Sequence, residues 1–457
     1  MAGEAPRLAR NPMSLAGIAI VTISALLFLI VFLLDLFGFH TNPYLGIFFF
    51  LVAPAIFIFG LVLIPIGMYI ERRRRAAGHP AHIGWPRLDL NIPAHRRAVV
   101  IVLVMTFVNV VIISLAAYRG IEFMDSTSFC GQVCHEVMEP EFMAYQDGPH
   151  SRISCVQCHI GPGAPYLVKA KIDGVRQVFA VLMDSHSRPI PSPVHTLRPA
   201  REVCEQCHWP EKFHGDSVQV RREYADDEAV TESATTLRIH VGGGSEKLGV
   251  ATGIHWHMNV ANRVEYRADP TRMKIPWVKV TDLTGAVREY AIDGVTKEEL
   301  DGLEHRIMDC MDCHNRPSHM FYPSPERAVD AAIASGELSR GLPFIKRETV
   351  AALKASHPDR QTAEREIANH LTNFYRANAA AGNGSENRQQ DLERAIQATQ
   401  RLYSRNVFPR MNVTWGTYPN HIGHMDAPGC FRCHDDSHKT RDGRTIKQEC
   451  DLCHTME

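Results

Sequence analysis

Residues 129–135 read FCGQVCH and residues 155–159 read CVQCH, and both segments place a histidine directly after a pair of cysteines. The same arrangement returns at Cys204, Cys310, Cys430 and Cys450, so the twelve cysteines fall into six pairs with none left over. Five pairs have the spacing C-x-x-C-H, whereas the first pair has one additional residue. This repeated pattern decides what kind of fold the chain can adopt.

Several kinds of protein contain close cysteine pairs. A disulfide framework and structural zinc sites both fit the pairs, but neither requires a histidine after each pair. Attachment of c-type haem does require it, because both thiols form thioethers to the haem and the adjacent imidazole binds the iron. The sequence therefore predicts six covalently bound c-type haems. For the longer first motif, a redox-active cysteine pair is the alternative.

The pattern names the residues that attach each haem. The cysteines are Cys130 and Cys134, Cys155 and Cys158, Cys204 and Cys207, Cys310 and Cys313, Cys430 and Cys433, and Cys450 and Cys453. The proximal iron ligands are His135, His159, His208, His314, His434 and His454. Six large apolar macrocycles supply much of the core that a loop-rich chain otherwise builds from side chains.

Each iron also has a sixth coordination position. A histidine there gives a low-potential centre suited to electron transfer, whereas an open position permits substrate chemistry. The preferred distal candidates lie in haem-rich segments or tight turns: His150, His240, His255, His257, His319, His424 and His438. A surface position is the alternative for each of them. Seven others rank lower: His186, His195, His214, His305, His357, His370 and His421.

Three apolar segments without internal Lys or Arg precede the first motif, at residues 15–37, 45–69 and 98–117. Each has about the length that crosses a bilayer. Seven arginines lie between the second and third segments and none in residues 38–44, which places the arginine-rich loop in the cytoplasm. We therefore expect a bacterial inner-membrane protein with a cytoplasmic N-terminus and a periplasmic haem domain.

The remaining sequence changes character twice. Residues 119–216 hold three motifs in a Pro- and Gly-rich stretch, and residues 217–300 lack cysteine but contain β-favouring runs. Residues 301–457 hold three more motifs and helix-forming segments at 347–381 and 388–404. The predicted fold class is an α-helical anchor of three transmembrane helices, residues 1–118, followed by a loop-rich, mainly α multihaem cytochrome c domain with a small β insertion.

The stretches FCGQVCHEVMEP, residues 129–140, and MAYQDGPHSRISCVQCHIGPGAPYLVKAKIDG, residues 143–174, carry a more specific resemblance. In motif order and spacing they resemble the NapC/NirT family of membrane-anchored multihaem quinol dehydrogenases. The whole chain is most similar to the longer inner-membrane members that start extracellular electron-transfer chains. The resemblance implies that menaquinol binds beside the first haem and that electrons leave to a periplasmic or outer-membrane acceptor cytochrome.

The resemblance also implies roles for individual residues. Met138 corresponds by position to the family's axial methionine, with side-chain packing as the alternative. Lys169, Lys171 and Asp173 match the quinol-site segment, with solvated surface charge as the alternative. A lysine can hydrogen-bond the quinol oxygen, and a carboxylate can accept its proton.

Composition removes one class of partner. A net charge of -1 gives no electrostatic reason to expect a nucleic-acid partner, so the expected partners are membrane lipid, the quinol pool and acceptor cytochromes. Two other functions stay open: an electron-transfer subunit docked on a separate quinol-oxidising membrane protein, and a haem reductase of a small oxyanion. The sequence also leaves open a homo-oligomer or a complex with other respiratory subunits.

Overall fold

The structure is a computed structural model that describes residues 11–36, 53–79, 89–93, 95–97, 99–100, 103–104, 118–119, 122–133, 135–161, 163–194, 197–243, 253–258, 262–282, 284–378 and 386–456. The chain divides into two compact units. The first consists of Met1–Phe129 with Ile160–Val175, and the second of Cys130–His159 with Arg176–Glu457.

Two long helices of the first unit, α1 (Pro12–Leu36) and α2 (Ala53–Ala76), pack along each other. Glycine permits this close approach, because a Cβ on Gly17 would lie 2.7 Å from the carbonyl oxygen of Gly60. Any larger residue at this crossing would push the two backbones apart.

The predicted anchor of three transmembrane helices is wrong. Within the ranges given above, no helix is both long enough and apolar enough to cross a membrane. The apolar part of α2 ends at Ile70, because Glu71 and four arginines follow it. The third predicted segment, 98–117, lies largely outside the described residues, and the loop 38–44 lies entirely outside them.

Short helices carry the early cysteine motifs. The π-helical turn Phe129–Val133 precedes α3 (His135–Gln146), α4 (Cys155–His159), α5 (Ala164–Leu182) and α6 (Ala200–Cys204). The second motif occupies the whole of α4, and the third begins at the last residue of α6. Helix α4 is only long enough to place one cysteine pair and its histidine.

Two antiparallel sheets follow. Their strands are β1 (Asp216–Tyr224), β2 (Glu232–His240), β3 (Arg263–Ala268), β4 (Trp277–Thr281), β5 (Val287–Ala291), β6 (Glu304–Ile307) and β7 (His454–Met456). The sheet orders are β1-β2-β7 and β5-β4-β3-β6. The prediction of a small β insertion is therefore wrong, because β6 and β7 come from the haem-rich C-terminal region. Strands of three or four residues are too short to show an alternating pattern.

The C-terminal region packs around a helical core. Its helices are α7 (Lys297–Asp301), α8 (Cys310–Cys313), α9 (Pro325–Ala334), α10 (Ile345–Lys354), α11 (Arg360–Ala377) and α12 (Glu386–Asn406). The helix-forming segment predicted at residues 347–381 contains parts of two helices, α10 and α11. Pro358 cannot continue a helix, and Asp359 starts α11 by accepting a hydrogen bond from the Thr362 amide at 2.8 Å.

We expect Leu371→Ala to lower the free energy of unfolding by about 2–5 kcal/mol, because it opens a cavity at a fully buried position of this core. The matched control is Val287→Ala on β5, where the side chain is 52% exposed, and its effect should stay within about 0.5 kcal/mol. Chemical denaturation followed by circular dichroism measures both. Equal losses would mean that the helical core does not limit stability.

Candidate haem-binding site

Three of the motifs share one backbone turn. The amide of the motif histidine donates to the carbonyl of the first cysteine, at 2.8 Å for His208 and for His314 and at 3.1 Å for His434. Residues four apart lie on one side of a helical turn. The first cysteine and the histidine of each motif therefore face the same side, as a haem bound by both requires.

Five motif histidines each face a second histidine from another part of the chain. The distances between ring centroids are 6.1 Å for His159 and His319, 6.1 Å for His208 and His150, 6.4 Å for His314 and His255, 5.9 Å for His434 and His257, and 6.0 Å for His454 and His424. Every second histidine belongs to the set preferred as distal candidates from the sequence.

These separations fit a metal ion between two imidazoles. Metal–imidazole bonds are about 2.0–2.1 Å long, so two such bonds and two ring radii place the centroids roughly 6 Å apart. The donor chemistry is also right, because neutral imidazole is an axial ligand of haem iron. The residues present therefore fit haem at the second to sixth motifs.

Four of the histidines that face a motif histidine are oriented by the backbone. Each donates its Nδ1 proton to a carbonyl: His150 to Pro317 at 3.1 Å, His255 to Val241 at 3.0 Å, His257 to Ile254 at 3.0 Å and His319 to Glu141 at 2.9 Å. A carbonyl oxygen can only accept, so these bonds place the ring proton on Nδ1. The Nε2 lone pair is then available to a metal, which is the usual arrangement around a ligating histidine.

The other two preferred histidines are placed differently. His240 lies at the end of β2 with its Nδ1 3.0 Å from the Asp216 carboxylate. His438 is 1% exposed, and both of its ring nitrogens are engaged, with Asp435 at 2.8 Å and with the Ile275 carbonyl at 2.6 Å. Neither ring forms a face-to-face pair with a motif histidine in the described residues. His240 still lies near the sixth motif, because burial lowers the pKa of His454 and the neighbouring His424 and His240 add to this.

Parts of the predicted site lie outside the described residues. Cys134 is one of them, as is the side chain of His135, so the surroundings of the first haem motif are not defined. Met138 lies on α3, three residues after His135, and is half-buried. His195 also lies outside the described residues.

Cysteines of successive motifs are neighbours in space. The thiols of Cys204 and Cys310 share a hydrogen bond. Burial raises the pKa of Cys313 to about 12, and a nearby Cys430 adds to this rise. Two further pairs are neighbours in the same way. Burial raises the pKa of Cys158 and of Cys453, and the nearby Cys207 and Cys430, respectively, add to the rise. The second to sixth motifs therefore follow one another through space in chain order.

A buried polar cluster joins the fourth and fifth motifs. Arg432, between the cysteines of the fifth motif, donates to the carbonyl of Asp312, between the cysteines of the fourth, at 2.5 Å. The Asp312 carboxylate accepts from the hydroxyl of Tyr266. Burial, reinforced by the charge of Asp309, raises the pKa of Asp312. No sequence signal pointed to this cluster, because its members come from three separate segments.

Helix α5 separates the residues that the resemblance assigned to the quinol site. Lys171 is half-buried and lies 3.4 Å from Asp125, whereas Lys169 is exposed. Lys169 and Asp173 are four residues apart and therefore lie on the same side of the helix. Lys171 lies on the opposite side. Asp125, which the sequence analysis missed, is 9% exposed, and its Oδ2 has no hydrogen-bond partner in the described part of the chain. It is a second candidate proton acceptor.

Cysteine–histidine motifs on short helices, with a second histidine facing each of five motif histidines, define a c-type cytochrome with covalently bound haem. The chain belongs to the NapC/NirT cytochrome c family. It matches the N-terminal region of that family over residues 92–190. It is 42% identical to the cytochrome c-type protein ImcH of Geobacter sulfurreducens over 450 residues, which cover 98% of this chain and 88% of that protein. No solved structure matches the chain.

The family resemblance inferred from the sequence is thereby confirmed. Membership of a cytochrome c family supports electron transfer as the general function.

We expect His150→Met to change one haem, because methionine in place of a distal histidine raises the reduction potential. Redox titration followed by visible absorption should show one centre moved to higher potential. The control is His438→Gln, which removes a buried histidine with two protein hydrogen bonds. It should lower stability by about 1–3 kcal/mol and leave all potentials in place. A shifted haem in the control, or none in His150→Met, would contradict the pairing.

Proposed function

We propose that the protein is a quinol dehydrogenase that oxidises menaquinol at a bacterial inner membrane. Six c-type haems then carry the electrons to a periplasmic acceptor cytochrome. The observation that carries this proposal is the row of five histidine pairs along neighbouring motifs. A continuous series of fully ligated haems serves conduction of electrons better than binding of a substrate.

The family supports a quinol as the electron donor, and Lys171 with Asp125 supports a place for it. Oxidation of one quinol releases two electrons, which bound haem would take up, and two protons, one to Asp125 and one to solvent. Lys171 Nζ donates a hydrogen bond to a quinol oxygen, and Asp125 Oδ2, which lacks a protein partner in the described residues, accepts a hydroxyl proton. Asp125 precedes Cys130 by five residues, so this pair adjoins the first motif in the sequence.

The surface of α5 supports contact with membrane lipid. Its exposed apolar side chains recur at helical spacing: Val168, Ile172, Val175, Phe179 and Leu182. An apolar stripe beside basic residues such as Lys169 and Arg176 is typical of a helix that lies in the membrane interface.

We expect Lys171→Ala and Asp125→Asn to slow reduction of the haems by a menaquinol analogue at least tenfold, because positioned acid–base groups contribute about 10²–10⁴ in rate. Stopped-flow absorption of the purified protein in detergent measures this rate. Reduction by dithionite needs no quinol site and should not change.

Lys212→Ala is the matched control, since this lysine stacks on Trp209 and lies after the third motif. Lys169→Ala and Asp173→Asn test the other side of α5. If they slow the reaction and the Lys171 and Asp125 variants do not, quinol binds on that side. If no variant changes the rate and quinol reduces no haem, the chain is a conductor that takes electrons from another membrane protein.

A further inference from the structure

A single turn of the chain places two histidines beside two different motifs. Residues 254–258, with the sequence IHWHM, form a 3₁₀ turn. Such a turn has three residues per revolution, so successive side chains point about 120° apart. His255, Trp256 and His257 therefore leave the turn in three directions.

The two histidines face separate partners. The ring of His255 lies 6.4 Å from that of His314, and the two ring planes are nearly parallel, at 5°. The ring of His257 lies 5.9 Å from that of His434, at 83°. His314 follows the cysteines of the fourth motif and His434 those of the fifth, and the Cys313 and Cys430 thiols of these motifs are neighbours.

The third direction anchors the turn. Trp256 packs against the hydrophobic cluster of the second sheet, which Cys433 of the fifth motif also contacts. The Val241 carbonyl accepts from both the amide and the Nδ1 of His255, at 3.2 and 3.0 Å. Arg201 donates to the Met258 carbonyl at 3.3 Å. The turn is thus fixed on both sides of the two histidines.

We propose that this turn supplies ligands to two haems. His255 is the sixth ligand of the haem attached at Cys310 and Cys313, and His257 is the sixth ligand of the haem attached at Cys430 and Cys433. This assignment rests on the proposed function only in requiring haem at both motifs. The two haems then share one rigid support, and any movement of the turn changes both iron sites together. Their ligation is coupled through five residues of backbone.

The test is substitution of each histidine alone. In His255→Met and in His257→Met, redox titration with electron paramagnetic resonance should show one bis-histidine haem lost and one centre raised in potential, and a different centre in each variant. The double variant should show both changes. The control is His370→Met on α11, where the imidazole Nε2 lies 3.0 Å from the Glu348 carboxylate; its spectra should equal those of the unaltered protein.

Other outcomes would contradict the proposal that the turn supplies ligands to two haems. If both single variants alter the same haem, the two histidines serve one iron; if neither alters any haem, neither is a ligand. Should the methionine variants fail to mature, His255→Gly and His257→Gly with added imidazole take their place, and imidazole should restore the lost low-spin signal. A mass spectrum lacking haem at the fourth and fifth motifs would instead refute the proposed function.

Trp256→Ala tests the shared support. Loss of the anchor should broaden or shift the signals of both haems together and leave the other centres unchanged, because neither histidine is replaced. Trp209→Ala is the matched control, since that indole is 49% exposed and packs on Lys212. A change confined to one haem in Trp256→Ala would show that the two iron sites are held independently.

Discussion

An iron atom held between two imidazoles requires two rings whose centroids lie roughly 6 Å apart, and much of this structure satisfies that requirement. The partners are distant in the sequence, as His159 and His319 show. Short helices such as α4 and α8 suffice, because each has only to turn one cysteine and one histidine to the same side. The remaining helices and strands serve mainly to bring the second histidine of each pair to its motif histidine.

The orientation of the rings that face the motif histidines depends on main-chain atoms more than on side chains. Pro317, Val241 and Ile254 contribute only their carbonyl oxygens, yet each carbonyl fixes which nitrogen of a histidine carries the proton. Main-chain acceptors exist at every residue, so the sequence alone cannot show which ones are used. They also tolerate changes of side chain, which makes the ring orientations a property of the fold.

The cysteines and proximal histidines follow from local spacing, which is why the sequence alone named them and the family. The distal residues do not, because their pairing depends on tertiary contacts. In the sequence His438 resembles His424, yet His438 bonds Asp435 and the Ile275 carbonyl, and only His424 faces a motif histidine. The prediction of one small β insertion failed for a related reason, because a strand as short as β7 shows no periodicity and exists through its pairing with β2.

The pairing also bears on where substrate chemistry can occur. An iron with an imidazole on each side has no free position, so with the proposed ligation the second to sixth motifs have no place for a nitrite or a sulfur oxyanion. Chemistry beyond electron transfer would then be confined to the first motif, which has the longer spacing between its cysteines. The buried Asp125 stands shortly before that motif in the chain, and an acceptor of protons is what quinol oxidation needs there. With the proposed ligation, a proton acceptor lies near the first motif in the sequence, and the second to sixth motifs have histidine on both sides of the iron. This arrangement favours quinol oxidation over oxyanion reduction.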